Sequence, residues 1–294
     1  MAIDLNDRAF LDRLIEAEKK RSNAGGRWMV IPAVVLAIAF LTPFYYLFVT
    51  VFKSNEEYAR KGVLELPDSL APIVGNVVEA WTSSDVGTAM FNSATYGVIG
   101  ASLAIAIAAI AAYGLTRLRG YGANSWFLVI FAGTLFPFQM YLVPLLFTYQ
   151  RVGLVNSWLG MLLLYTAICI PFPLLVLRNA FGGINREIDS AARIDGASEW
   201  RVFISMIVPN AWGSIVALFL LQFTFIWNDL LFSSVLANGN KVRSIMVALQ
   251  TLQGTYAATG PNVVATAALI ASLPTVLLFI VLRKYFMSAF QLNS

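Results

Sequence analysis

The side chains that most often carry catalysis are nearly absent from this chain. Its 294 residues contain no histidine and a single cysteine, Cys169. That excludes a disulfide within the chain, a Cys/His metal site and histidine-based acid–base catalysis. The acids between positions 53 and 85 (Glu56, Glu57, Glu65, Asp68, Glu79, Asp85) are scattered without metal-ligand spacing and read as a solvated loop. A phosphate-binding G-x-x-x-x-G-K-[ST] loop is missing too: only Lys53 precedes a serine, and no glycine stands where the motif needs one. The polar stretch with an ordered pattern is 186–209.

That stretch reads as a helix, a sharp turn and a second helix. Glu187 and Asp189 suit a first helical turn, where carboxylates complement the helix dipole. Asp195-Gly196 supplies the break, with Gly196 free to adopt a left-handed stop. Ser198 can cap the next helix, with Glu199 and Trp200 in its first turn. Ala191, Ala192, Gly196 and Ala197 are small enough for another backbone to approach closely. A connection that only joins two helices needs a few residues, so this one is built to dock into something.

The elements that position this stretch follow from composition. The hydrophobic share is 59% and the charged share 12%, with a mean hydropathy of +0.72. A soluble domain carries roughly 25% charged residues, so much of this surface must face lipid. A crossing helix needs about 20 apolar residues. Six such stretches are expected, at about 28–52, 90–114, 125–148, 156–178, 205–228 and 262–283. None carries a charge near its centre; Asp229, at the end of the fifth, comes closest.

Orientation follows from Lys and Arg. Fourteen lie on the side of the N-terminus (Arg8, Arg13, Lys19, Lys20, Arg21, Arg27, Arg117, Arg119, Arg178, Arg186, Arg193, Arg201, Arg283, Lys284) and six on the other (Lys53, Arg60, Lys61, Arg151, Lys241, Arg243). Both termini are therefore expected in the cytoplasm of a multi-pass protein. Residues 1–27 read as a cytoplasmic amphipathic segment rather than a cleaved signal, with Phe10, Leu11, Leu14 and Ile15 at helical spacing. Residues 28–294 then form one six-helix domain. The net charge of +4 is too mild to argue for nucleic acid.

The 186–209 loop resembles the signature of permease subunits of ATP-binding-cassette importers: Glu-Ala-Ala, three residues, Gly, nine residues, Ile-x-Leu-Pro. Registered on Gly196, the pattern places Ser190, Ala191 and Ala192 at Glu-Ala-Ala, and Met206, Val208 and Pro209 at Ile, Leu and Pro. Ser190 replaces the signature carboxylate, and Glu187 stands one helical turn away. Ala191-Ala-Arg-Ile-Asp-Gly-Ala-Ser198 is similar to the version in carbohydrate importers of the maltose and glycerol-phosphate type. Phe91-Asn92-Ser93, Ala112-Tyr-Gly-Leu-Thr-Arg-Leu-Arg-Gly120, Pro144, Gly153-Leu-Val-Asn-Ser157, Trp227-Asn-Asp-Leu230, Leu273-Pro274 and Arg283-Lys-Tyr-Phe286 continue the likeness. The chain departs from such relatives at its end, Phe286-Met-Ser-Ala-Phe-Gln-Leu-Asn-Ser294, which lacks their glycine-rich tail.

The resemblance implies an all-α membrane protein of the type I importer permease fold in the bacterial inner membrane. It implies a homologous second permease, an ATP-binding-cassette ATPase dimer and an extracytoplasmic solute-binding protein as partners. ATP and Mg would be bound by the ATPase; this chain would hold no cofactor, no metal and no catalytic residue. The coupling loop is implied to be 187–209, and the residues in it implied to meet the ATPase are Glu187, Ser190, Ala191, Ala192, Asp195, Gly196, Ala197 and Pro209. The solute would be a carbohydrate: an oligosaccharide, a polyol or a sugar phosphate. An importer of a non-sugar solute and a secondary transporter are the alternatives; the latter predicts charged midplane residues and inverted repeats, and neither is visible.

Other features have two readings each. Gln222, Thr224, Trp227 and Asn228 in the fifth span can line a sugar path, which wants aromatic faces with amide or hydroxyl partners, or can hydrogen-bond between helices. Gly97, Gly100, Ala101, Ala104 and Ala108 read as a packing face. Pro137 and Pro144 read as kinks in the third span. Tyr45, Tyr46, Tyr141, Tyr149 and Trp158 read as interfacial anchors. The glycine-containing segment 233–261 is either a solvated connector or a loop toward the solute-binding protein.

Overall fold

The computed structural model describes residues 8–118, 122–254 and 259–291, with side chains described over 30–285 in those ranges, Leu135 aside. The amphipathic stripe expected in 1–27 and the departure at 286–294 concern side chains outside these residues. The described residues contain helices and no strand. The chain divides into two compact units, Met1–Val74 and Gly75–Ser294.

The first unit is built on α1 (Arg8–Val51), whose portion Val30–Val51 is long and apolar enough to cross a membrane. Its Val30, Ile31, Val35, Phe40, Leu41 and Phe44 are exposed, as lipid-facing residues must be when so few charges are available. Ser54 then caps α2 (Asn55–Arg60) by accepting from the Glu57 amide at 3.1 Å. The acids here are more organised than a solvated loop. Glu57 is buried, accepts from the Asp68 amide and lies 3.3 Å from Lys61, which also meets Asp68 at 2.5 Å. Lys61 in turn holds the Asp68 carboxyl below the usual carboxylate range.

In the second unit, α3 (Pro72–Thr82) leads to a break at Ser84 and Asp85, both with positive φ. Then α4 (Val86–Thr95), a π-helical turn over 96–100, α5 (Ala101–Tyr113) and a second π turn over 114–118 make one long run, which contains the expected second span. Its small residues pack as their size requires. Gly97, Gly100, Ala101, Ala104 and Ala108 are all buried, and a Cβ on Gly97 would stand 2.7 Å from the Phe223 ring.

The next three expected spans are interrupted, the third and fourth at proline and the fifth at Ala211, two residues beyond Pro209. The third, expected as one kinked helix, is α6 (Ala123–Ala132) and α7 (Phe138–Val152), separated by extended backbone at Phe136 and Pro137. Pro144 sits inside α7 without breaking it. The fourth is α8 (Trp158–Ile168) and α9 (Pro171–Gly183), bent by 43°. Pro171 has no N–H to continue the ladder. After α10 (Arg186–Ile194) and the turn, the fifth begins as α11 (Glu199–Val202), a π turn over 203–207 and α12 (Val208–Asn210). It then bends by 76° into α13 (Trp212–Trp227).

Short helices α14 (Leu231–Leu236) and α15 (Ile245–Gln253) precede the last, α16 (Pro261–Gln291), which carries Pro274 internally. Among the described residues, three continuous helical stretches meet the length and hydropathy of a crossing, Val30–Val51, Pro72–Leu118 and Pro261–Tyr285, and counting each of the two bent pairs as one span brings the number to five. The stretch 125–148 adds only the ten apolar residues of α6 as a candidate. Within the second unit, α5 packs on α9 and α13 on α16. This packing places the ends of the 86–118 run against two polar assemblies.

Candidate functional site

The 186–209 loop has the form its sequence specifies. Asn185 caps α10 by accepting from the Glu187 amide at 3.0 Å. At the far end Gly196 has φ +80°, its amide donates to the Arg193 carbonyl, and the Ala197 amide donates to the Ala192 carbonyl. These paired bonds form the closed Schellman arrangement that a left-handed glycine permits. Ser198 has extended backbone and accepts from the Arg201 amide, starting α11.

The implied contact residues divide by face. Glu187, Ser190, Ala191, Asp195, Gly196 and Pro209 are exposed. Ala192 is buried in the core with Phe181, Val202 and Phe203, and Ala197 packs on the same cluster. Of the two signature alanines, Ala191 is therefore presented outward and Ala192 holds α10 to the bundle. Nothing occupies the space within 4 Å of a Cβ placed on Gly196, so the chain itself leaves that position open. Ile194, at the tip, is 85% exposed, an unusual place for a large apolar side chain on a polar loop. Its neighbours Asp195 and Gly196 drew attention from sequence; Ile194, five residues from the buried Asp189, did not.

Polar contacts across the turn and to α5 were also not foreseen. Arg193 pairs with Glu199 through two contacts, Nε to Oε1 at 2.7 Å and Nη2 to Oε2 at 3.1 Å. The Tyr113 hydroxyl donates to Glu199 Oε2 at 2.6 Å. The hydrogen bonds from Arg193, then from Tyr113, pull the Glu199 carboxyl down to about 2. One turn beyond Tyr113, Arg117 Nη1 lies 3.1 Å from Asp189 Oδ2, with both side chains buried. Arg117 Nη2 donates to the carbonyls of Phe181 and Ile184. The motif 112–120 thus supplies two side chains, Tyr113 and Arg117, that hold the loop.

At the other end of the same run, the Phe91-Asn92-Ser93 motif grips a different segment. Asn92 Nδ2 donates to the carbonyls of Lys241 and Arg243 at 3.1 Å each, and Asn92 Oδ1 accepts from Trp158 Nε1. Ser93 Oγ accepts from the Ile245 amide, and the Tyr96 hydroxyl donates to the Val242 carbonyl. Arg243 reaches the Ser84 carbonyl and lies 3.5 Å from Asp85. Part of the 233–261 segment is therefore clamped rather than free.

The four polar residues of the fifth span do not share a face. Gln222 and Trp227 are buried, and Trp227 Nε1 donates to the Ala271 carbonyl of α16 at 3.1 Å. Thr224 and Asn228 border a cleft of about 800 Å³ with Phe138, Phe225, Asp229, Thr275 and Phe279. Asp229 is committed locally: it accepts from the Tyr165 hydroxyl at 2.8 Å and from the amides of Phe232 and Ser233. Among the described residues, no three His, Cys, Asp or Glu side chains cluster as a metal site would require.

A helical membrane component with a structured loop at one end and an open cleft is the class these features define. Residues 104–290 match the family described as "Binding-protein-dependent transport system inner membrane component", and the chain belongs to that family. It is 30% identical over 270 residues to the osmoprotective compounds uptake permease protein GgtD of Synechocystis, covering 88% of this chain and 90% of that one. It is 29% identical over 263 residues to the melibiose/raffinose/stachyose import permease protein MelC of Bacillus subtilis, covering 89% and 94%. It shares the fold of a chain in the crystal structure of a bacterial ABC transporter involved in import of the acidic polysaccharide alginate. The TM-score is 0.78 at 21% identity, over 90% of this chain and 98% of that one.

Proposed function

We propose that this chain is the permease subunit of an ATP-driven importer of carbohydrates: oligosaccharides, polyols or sugar phosphates. It crosses the bacterial inner membrane six times with both termini in the cytoplasm, the broken 125–148 stretch counting as the third crossing. A second permease, an ATPase dimer and an extracytoplasmic solute-binding protein complete the assembly, and the ATPase holds ATP and Mg. The sugar assignment is supported by the similarity to an import permease named for melibiose, raffinose and stachyose and to a transport system permease named for sulfoquinovosyl glycerol.

The observation that carries the reading is the 186–209 loop. Its outward surface of Glu187, Ser190, Ala191, Asp195 and Gly196, tipped by exposed Ile194, is rigidly capped at both helices and offers an apolar point on a small-residue ledge. That suits insertion of a helix into a groove of a partner. On the solute side, Thr224 and Asn228 are the path residues of the original four, and Gln222 and Trp227 act as packing.

The test is purification of the co-expressed complex with a screen of sugars for stimulation of ATP hydrolysis in proteoliposomes. The complex should hydrolyse ATP, a sugar with its binding protein should stimulate it, and the isolated chain should hydrolyse none. Turnover by the isolated chain at the rate of the complex contradicts the proposal.

A further inference from the structure

The loop joins α9 to α13 along the chain, so force arriving at it has an obvious route into the fourth and fifth spans. The polar contacts show another route. Tyr113 and Arg117 lie one turn apart at the end of the 86–118 run; Tyr113 meets Glu199 in α11 and Arg117 meets Asp189 in α10. One side of that run therefore grips both helices of the loop.

The Arg117 contact is the more deeply buried and the more informative. Both side chains are almost wholly buried, at 2% and 3% exposure. Arg117 also donates to the last carbonyls of α9, where a helix leaves C=O groups without partners inside it. Arg117 Nε and Nη1 and Asp189 Oδ1 find no hydrogen-bond partner among the described residues, so the 3.1 Å contact is a charge pair without an aligned hydrogen bond. Burying charges with incomplete hydrogen bonding is costly, and an apolar pair of the same size would serve packing as well or better. Such a pair is explicable as a registry device, fixing one position of α10 against the end of the run.

We infer that Arg117 and Asp189 are positioning residues that bind the loop to the 86–118 run, so that nucleotide-driven movement of the loop displaces that run together with the fourth and fifth spans. The inference rests on the reading of the loop as the ATPase-docking element. In the assembled importer, the loop and the end of the second span move as one body, and the charge pair is what makes them one.

Spin labels at Ile188→Cys in α10, an exposed position outside the docking surface, and Leu118→Cys at the end of the run, in a Cys169→Ala background, report the distance between the two elements. The probe is ATP with vanadate added to the complete complex in nanodiscs. With Arg117 and Asp189 intact, the distance should stay narrow and unchanged by nucleotide. In Asp189→Asn and in Arg117→Met/Asp189→Leu, it should broaden and shift by about 2 Å, the scale of helix shifts in switching proteins. The conservative Arg117→Lys, which keeps a cation facing Asp189 and donors for the Phe181 and Ile184 carbonyls, should retain the narrow distance, which a purely packing role would not predict. A narrow, nucleotide-independent distance in Arg117→Met/Asp189→Leu overturns the inference, and so does a wild-type distance that shifts with nucleotide. Loss of the ATPase from the unsubstituted complex would instead strike the docking reading, so the two failures are distinct.

Discussion

The two ends of the 86–118 run hold their neighbours by different chemistry. At one end the side chains of Asn92, Ser93 and Tyr96 bond to backbone groups of 241–245 and to Trp158, and the charged contact of that segment, Arg243 to Asp85, falls just before the run rather than on it. At the other, Tyr113 and Arg117 meet the carboxylates of Glu199 and Asp189. A grip on backbone is indifferent to the side chains of the segment it holds, whereas a grip on charge depends on a particular partner being present and ionised. The first kind fixes a segment in place. The second can be broken or reset by one substitution, which suits an element that transmits movement.

The largest effect should come from breaking the charged end. Asp189→Asn leaves Arg117 buried without its counter-charge, a loss of about 3–5 kcal/mol, read as a fall in the melting temperature of the purified complex. Arg117→Met/Asp189→Leu should recover most of that stability. If the single substitution is neutral, the pair is solvated and the contrast between the two ends dissolves.

At the backbone-gripping end, Asn92→Ala removes two bonds to carbonyls and one from Trp158. The expected cost is about 1–3 kcal/mol, while substitutions of Lys241 to Ala or Gln should be nearly silent, because only its carbonyl is held. Hydrogen exchange at 241–245 should rise in Asn92→Ala and remain unchanged in the Lys241 variants. Sensitivity to the side chain at 241 would contradict the distinction.

Gly196 sharpens the comparison within the loop. Its left-handed φ costs a side-chain-bearing residue roughly 1–2 kcal/mol, yet the space around it is open. Gly196→Asn tolerates that backbone and should keep much of the ATPase bound, whereas Gly196→Leu adds both strain and bulk and should lose it on co-purification. Equal, wild-type ATPase content in both variants would show that nothing docks at this ledge.

The smallest effect concerns acid. The half-exposed Glu199 carboxyl is held near 2, first by Arg193 and then by Tyr113. Its folded value lies below the unfolded one, near 4.3. The stabilisation is therefore complete above about 4.3 and lost as pH falls from there through about 2. Glu199→Gln should flatten that part of the melting profile; an identical profile in both proteins would remove Glu199 from the network.

Much of the loop was legible because its rules are local. Asp195-Gly196 ends a helix and Ser198 begins one, whatever the rest of the chain does. The grip of Tyr113 and Arg117 was not legible: their partners lie 86 and 72 positions away, and pairing across such distances is decided by helix packing. The fifth span shows a partial signal. Thr224 and Asn228 are four apart and share a face, but Trp227 is only three from Thr224, and its burial against α16, like that of Gln222, is decided by helix packing that spacing does not reveal. In the third span, extended backbone at Phe136 and Pro137 turned an expected kink into a break, because Pro disfavours helical backbone at the residue before it.

The proposed docking of an ATPase at the 186–209 loop can be tested directly by placing this chain's one cysteine at the exposed tip. In a Cys169→Ser/Ile194→Cys chain within the complete complex, a short thiol-to-amine cross-linker should join this chain to the ATPase. The yield should change when ATP and vanadate are added. A tip cysteine that reacts readily with a soluble maleimide in the assembled complex, and never cross-links to the ATPase, would contradict the account.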